Sequence, residues 1–379
     1  MSIREWRNCR AGVADAYLLL ILTSIAIIAC GCRKQDRFSD AAVDTTYVQA
    51  VHTITSIQID DNYGFAEIVD LCFCPDSTII TVDSKLVCIR RYSASGEYLQ
   101  SYGSIGQGPG EFIEPHSAAV CGRILLVSDV NGLNGFDVES GAWLFLKDEY
   151  TRPMLLKMVG IDSTGTIAAL TSNVVFSGQT PCRIAEYRTF NLNENQPVVV
   201  FWRDSSVVDF ADSEYLRICM EQPIVASDID GNIYVSESTE SMVRITKYSP
   251  SGEILLCIED KCEPVSLSAD EKQEEYDYYS WYTERMGLRA TYTPPDAWPA
   301  VTSLGIDSNS RIWARIGGSN PPAFRLYSQQ GILTGIACLE DSPTRARYLD
   351  VRVTPWGIAG FSYDPEQDYP QVSIFRIRE

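Results

Sequence analysis

PIVASDIDGNIYVS (residues 223–236) is a proline, a short apolar run, a turn rich in Asp, Gly and Asn, and a strand led by Ile233. The same phrase recurs along the chain. Pro299 opens PAVTSLGIDSNSR and leads into IWAR (Ile312 to Arg315). Pro115 leads to ILLV (Ile124 to Val127), and Pro153 runs through Asp162 and Gly165 to IAAL (Ile167 to Leu170). Two more copies, IVDLCFCPDSTIITVD from Ile68 and YLDVRVTPWGIAGFS from Tyr348, lack the leading Pro but keep strand, turn and strand. Recurrence at this scale marks one supersecondary unit copied along the chain.

After each Ile-led strand comes a third run, starting at Val87, Asn134, Arg183, Arg244, Ala323 or Val372. Five copies add a second turn and a fourth run, as in SASGEYLQSYG and SPSGEILLCIE. Gly, Asn, Asp and Ser at the turns supply the dihedrals that antiparallel hairpins need. The result is six four-stranded units with one strand missing, because the sixth copy stops at Glu379. HTITSIQID (His52 to Asp60) alternates as a strand does and precedes the first unit. Lent to the last unit, it closes a ring and leaves no large open edge. The expected fold is an all-β, six-bladed β-propeller closed by an N-terminal strand, with a helical insertion between blades four and five.

GSIGQGPGEFIEPHSAAV (Gly103 to Val120) resembles the blade junction of NHL-type six-bladed β-propellers: a Gly-rich link, then Phe112, then Pro115 before the inner strand. From Val51 to Glu379 the chain also resembles the six-bladed β-propeller lipoproteins of environmental and gut bacteria. The resemblance implies a fold rather than a chemistry, because such propellers host binding modules and several enzymes. Blades three and four depart from the NHL pattern by long insertions.

Residues 1–29 read as a lipoprotein signal peptide. Arg4, Arg7 and Arg10 give a positive start, and AYLLLILTSIAIIA (Ala16 to Ala29) is an apolar core too short to span a bilayer. The core ends in Ile27-Ile28-Ala29-Cys30, which resembles a lipobox and implies lipidation at Cys30; an ordinary cleaved signal is the plainer alternative. Acyl chains there would hold the protein at a membrane surface. Residues 30–50 then read as lipidated Cys and polar tether. The propeller is expected over 51–379. An outer-membrane destination is the default expectation.

The formal net charge is −19 and the sequence pI about 4.6, which argues against nucleic acid as a partner, since phosphate binding needs clustered Lys and Arg. A monomer is expected. Of the 12 cysteines, Cys257 and Cys262 flank an acidic turn and invite a bridge, whereas Cys72 and Cys74 share one strand face and suit burial. The CFC spacing is not that of a zinc site.

His52 and His116 are the only histidines, so one molecule cannot build a three-histidine metal centre. No Gly-x-Ser-x-Gly elbow appears, and GSIGQGPG opens no helix, so it reads as a linker rather than a phosphate cradle. The central funnel is the natural site. Glu67, Glu114, His116, Lys157, Gln222, Trp298, Tyr348 and Asp350 lie just before or at the start of the inner strands and are expected at its mouth. Glu67, Glu114 and Asp350 are oxygen donors of the kind calcium takes, which raises a metal-assisted hydrolase, lactonase or lyase beside the plainer reading of solvated rim residues.

Ser266 to Ala300 is the chief irregularity. SADEKQEEYDYYSWYTERMG carries a helix start and stop, with Tyr276, Tyr279 and Tyr282 on one face and Trp281 nearby. These aromatics read either as a partner surface over the funnel or as pins that fix the helix to the blades. The expected function is a membrane-tethered binding or scaffolding module for a protein, peptide or carbohydrate, with the funnel enzyme as the alternative.

Overall fold

The computed structural model describes residues 44–55, 64–147, 155–163, 165–177, 180–192, 198–207, 223–286, 292–340, 349–362 and 370–378. The described residues open with β1 (Asp44–Thr55), and then build antiparallel sheets in sequence order. The first contains β2 (Ile68–Phe73), β3 (Ile79–Asp83), β4 (Cys88–Tyr92) and β5 (Tyr98–Tyr102). A two-stranded ladder, β6 (Ser104–Ile105) with β7 (Glu111–Phe112), lies in the glycine-rich link. The second sheet contains β8 (Pro115–Cys121), β9 (Ile124–Asp129), β10 (Gly132–Asp137) and β11 (Trp143–Lys147). The third contains β12 (Leu155–Gly160), β13 (Thr166–Ser177), β14 (Thr180–Asn191) and β15 (Val200–Val207). The fourth contains β16 (Ile224–Ser227), β17 (Ile233–Ser236), β18 (Met242–Tyr248) and β19 (Ile254–Lys261).

Helix α1 (Ala269–Met286) follows, over the span where start and stop signals predicted it. Then come β20 (Val301–Ile306), β21 (Ile312–Ile316), β22 (Ala323–Tyr327), β23 (Leu333–Glu340), β24 (Leu349–Thr354), β25 (Gly357–Ser362) and β26 (Gln371–Ile377). These seven strands and β1 form one eight-stranded sheet, ordered β20-β21-β22-β23-β1-β26-β25-β24. Strand β1 runs antiparallel to β26 and parallel to β23. The N-terminal strand thus lies beside the last strand of the chain, as expected, but it begins at Asp44. Residues 44–50, read as tether, are strand: Val48 is fully buried and Asp44 to Gln49 pair with Gly335 to Glu340. The rest of the expected closing strand, 56–60, lies outside the described residues.

Apolar side chains gather in wedges between neighbouring sheets rather than in one central core. Leu125, Val127 and Phe136 of the second sheet meet Ile80, Val82 and Ile89 of the first. Leu155 and Met158 meet Ala119, Cys121 and Leu126. The circuit continues through the third and fourth sheets, then the fourth sheet with β20–β22, then across the eight-stranded sheet. It returns where Phe361, Val372 and Ile374 meet Ile68, Leu71 and Ile79. The leading strands β2, β8, β12, β16, β20 and β24 follow one another around the middle, each touching the next, and β24 touches β2. The architecture is therefore all-β and propeller-like, because sheets that bury both faces against neighbours can close on themselves.

Repeated side-chain turns explain why the sequence phrase folds this way. Ser249 accepts the Glu253 amide on its hydroxyl, and Ser328 accepts the Ile332 amide in the same manner. Gly252 and Gly331 then adopt φ of 86° and 79°, which an L side chain rarely takes. The Asp of the phrase closes the first hairpin: Asp228 accepts the Asp230 and Asn232 amides, and Asp307 those of Asn309 and Arg311.

Candidate functional site

Two polar regions stand out, one on the axis and one at the face where the leading strands begin. On the axis, Asp350 and Arg352 sit two apart on β24, where Leu349, Val351 and Val353 turn inward to the apolar wedge. The Arg352 guanidinium donates to Asp350 Oδ1 at 2.8 Å and to Asp70 Oδ1 at 3.3 Å, and lies 5.7 Å from the Phe361 ring. Burial works against its charge, but Asp350 and Asp70 more than offset this and raise its pKa. Asp70, on β2, also accepts the Leu71 amide at 2.9 Å, the Ser117 hydroxyl at 2.7 Å and the Ala118 amide at 3.1 Å. Ser117 in turn accepts the Met158 amide, so one carboxylate ties β2, β8, β12 and β24 together.

Lys157 enters this cluster from β12. Solvent reaches its side chain, yet protein surrounds it, and the loss of bulk water lowers its pKa; Arg352 pushes the same way, while Asp350 and Asp70 pull back. Tyr187 donates its hydroxyl to the Lys157 carbonyl at 3.3 Å, and burial raises the Tyr187 pKa. Arg315, buried on β21, donates to the Leu349 carbonyl, and burial lowers its pKa while Asp350 opposes the shift.

The second region is a cleft of about 680 Å³ between α1 and the starts of β16 and β20. Trp202, Tyr279, Tyr292 and Trp298 supply its aromatic walls, and Glu237, Glu240 and Glu275 its acids; among the described residues no Lys or Arg lines it. The acids Glu237 and Glu275 are oriented by the rings: Trp202 Nε1 donates to Glu237 at 2.8 Å, and Tyr292 OH to Glu275 at 2.6 Å. Tyr279 and Tyr292 pack ring against ring, with centroids 4.0 Å apart and planes tilted by 41°. Local chemistry at the start of α1 holds this wall in place. Ser268 and Glu271 exchange side-chain-to-amide hydrogen bonds in a capping box, and Lys272 pairs with Asp296 at 2.6 Å.

The sequence candidates divide between these regions. Lys157 and Asp350 come together on the axis, whereas Trp298 and Tyr279 line the cleft. Glu67 and Glu114 are exposed; what the fold uses is their backbone amides, which donate to Asp83 and Asp129. Among the described residues no three His, Cys, Asp or Glu side chains are grouped to hold a metal ion, so Glu67, Glu114 and Asp350 form no calcium set here. His116 is half-buried at a bulge in β8, its Nε2 buried and without a partner among the described residues. Tyr276 is exposed on α1. Cys30, Gln222 and Tyr348, and the side chains of Trp281 and Tyr282, lie outside the described residues.

Sequence reading missed Asp70, Arg352, Arg315, Glu237 and Glu275. Asp350 and Arg352 did carry a signal, since LDVRV alternates apolar and charged positions on one strand. Cys257 and Cys262 are both free: they lie five apart along an extended segment, which holds them far beyond bridging distance. Among the described residues no helix is long and apolar enough to cross a membrane.

No protein-family model and no curated protein matches the sequence. Among solved structures, a Bacteroides fragilis protein is similar at 9% identity and a TM-score of 0.49, over 91% of this chain and 98% of that one. A Bacteroides thetaiotaomicron protein of unknown function is similar at 12% identity and 0.44, over 82% and 70%. The calcium-binding protein regucalcin of Agrobacterium tumefaciens is similar at 11% identity and 0.40, over 87% and 95%. At such values no ligand or activity transfers to this chain.

Proposed function

We propose that this chain is a cell-envelope lipoprotein, tethered through Cys30, whose six-bladed, NHL-like propeller is a binding module. The six-blade count takes the eight-stranded sheet as two blades, β20–β23 and β24–β26 completed by β1. Support for that reading comes from the apolar wedge that Trp313, Phe324 and Leu326 form against Leu349, Val351 and Ile358, the same relation that separates the four smaller sheets. The order of Arg4, Arg7, Arg10, apolar core and Cys30 supports the tether.

The observation that carries the binding reading is the cleft beneath α1. Four aromatic rings and oriented acids around about 680 Å³ make a surface for a ligand, with ring faces for contact and carboxylates for direction. A photo-crosslinking side chain placed at Tyr279 in the full-length protein, in native envelopes, tests it. A discrete adduct at Tyr279 that is absent when the probe replaces exposed Leu144 is the expected result. Folded protein with no adduct at Tyr279 overturns the reading. In parallel, Cys30→Ala is expected to release the protein from the membrane fraction.

A further inference from the structure

We propose that the cleft beneath α1 takes an organic cation, an alkylammonium or guanidinium group held between an acid and a ring. The assignment rests on the reading of that cleft as a binding site and names the class of its ligand.

A small unit recurs in this fold, in which an aromatic ring donates its polar hydrogen to a carboxylate and a cation completes the pair. Trp313 Nε1 donates to Asp307 Oδ2 at 2.9 Å, and Arg311 pairs with that oxygen at 2.7 Å while lying 5.6 Å from the Trp313 ring. The Tyr234 hydroxyl donates to Asp228 Oδ2 at 3.0 Å, and Lys247 pairs with that oxygen at 3.2 Å, 5.0 Å from the Tyr234 ring. The Tyr327 hydroxyl and Arg325 meet on Asp260 Oδ2, at 2.9 and 2.8 Å. Each unit satisfies the acid with a charge-assisted hydrogen bond, and in the first two the cation also gains the ring face.

The cleft contains one unit of each kind with the ring and the acid but without the cation. Trp202 Nε1 donates to Glu237 Oε1 at 2.8 Å, and the Tyr292 hydroxyl donates to Glu275 Oε1 at 2.6 Å. All four residues line the same cavity of about 680 Å³. Among the described residues neither Glu237 nor Glu275 forms an ion pair, and the second oxygen of each accepts no hydrogen bond. A carboxylate has room for about four donors, so both keep capacity for a ligand that brings N–H groups.

The rings favour a charged donor over a neutral one. Sugar hydroxyls would also fill those oxygens, but a cation is drawn to the aromatic face as well as to the acid, and Trp offers the strongest such face. Donation of the ring N–H or O–H to a carboxylate polarises the ring in the sense that suits positive charge. The cavity is larger than one charged head needs, so the cation belongs to a larger molecule, a basic peptide or an organic amine.

The test uses the full-length protein and four probes, followed by tryptophan fluorescence and ligand-observed NMR. Two are cations, N-acetyl-lysine methylamide and butylamine; two are neutral, N-acetyl-norleucine methylamide and methyl glucoside. Saturable binding of the cations is expected, with the norleucine amide weaker than the lysine amide by about fivefold or more. Glu237→Gln and Glu275→Gln keep the acceptor for the ring but remove the charge. At least one of them is expected to weaken the lysine amide about fivefold, the value of one exposed ion pair, and to leave the norleucine amide unchanged. Glu253→Gln, exposed and outside the cleft, is expected to change neither. A lysine amide that binds tighter than butylamine identifies a peptide as the source, and equal affinities a free amine. If neither cation binds the wild type, or either neutral probe binds as well as the cations, the cation assignment fails. A photo-adduct at Tyr279 then still upholds the cleft as a binding site, whereas no adduct and no binding of any probe removes both readings. Should one variant fail to fold, the other and the wild-type ratio of lysine amide to norleucine amide decide the matter.

Discussion

Asp129 ends β9 with one oxygen taking the amides of Ile113 at 3.0 Å and Glu114 at 2.7 Å, and the other taking Asn131 at 2.9 Å. Asp83 repeats this at the end of β3 with Ala66, Glu67 and Leu86. Each carboxylate thus pins the link that feeds a leading strand, and both are almost fully buried. Asp129→Ala leaves three amides without that acceptor and is expected to cost about 3 kcal/mol, read as a lower urea midpoint at unchanged slope. Asp228 links stability to pH. Burial opposes its charge, but Asn232, Lys247 and Tyr234 outweigh this and hold its pKa below the ordinary 3.8. The unfolded chain takes up its proton first, so this contribution is present above the ordinary carboxylate pKa and fades as pH falls through the folded value. Asp228→Asn is therefore expected to lower the melting temperature at neutral pH, with the gap to wild type closing in acid. Lys157 has the opposite sign. Its folded pKa lies below the ordinary 10.5, so keeping it charged opposes folding at neutral pH, and that penalty lifts as pH rises toward 10.5. Lys157→Met is expected to melt above wild type near pH 7, with the difference shrinking in alkali; a variant that melts lower at pH 7 and higher at pH 10 reverses that sign.

Among the elements, those that repeat were the legible ones. The Ile-led strands predicted at Ile124, Ile233 and Ile312 are β9, β17 and β21, because turn residues and apolar runs there are local and period-bound. Length was less visible. IAAL is only the start of a 12-residue β13, whose far half, with half-exposed Val174 and Val175, pairs with β14 beyond the wedge that gives the phrase its pattern. The parallel pairing of β1 with β23 left no mark at all, since it joins segments almost 300 positions apart and needs no turn between them. The site was half legible for a related reason. Lys157 and Asp350 could be named from strand starts, but Asp70 looked like one acid in an apolar strand, and only the ring brings it to Arg352. Helix α1 was readable because caps are local, and its cap offers a test at this scale. Ser268→Ala removes one half of the capping box and is expected to cost the helix about 1 kcal/mol, seen as faster amide exchange over residues 269–275 with the sheets unaffected.

For the molecule as a whole, stability depends on closure, because each wedge of core needs two sheets and the circuit has no spare face. Strand β1 is the piece that joins the ends. It sits between β23 and β26, sends Val48 into the wedge with Trp313, Phe324 and Leu339, and sends Ile54 into the wedge with Phe65, Phe361 and Ile374. Removing it therefore opens two wedges and bares two strand edges at once, a larger loss than its length implies. Removing only residues 1–43 leaves β1 whole. The two truncations are expected to separate sharply in calorimetry. The shorter one should melt as the full chain does, in one transition, whereas loss of residues 1–55 should give a lower and broader transition with concentration-dependent aggregation through the bared edges. Val48→Asp isolates the packing term from the edge term: a carboxylate in a fully buried apolar wedge has no partner, and a drop of about 3 kcal/mol or more is expected with the strand still present. If the protein without residues 1–55 melts at the temperature of the full chain, β1 is an ornament on a ring that closes by sheet contact alone, through Phe361 and Val372 against Leu71 and Ile79.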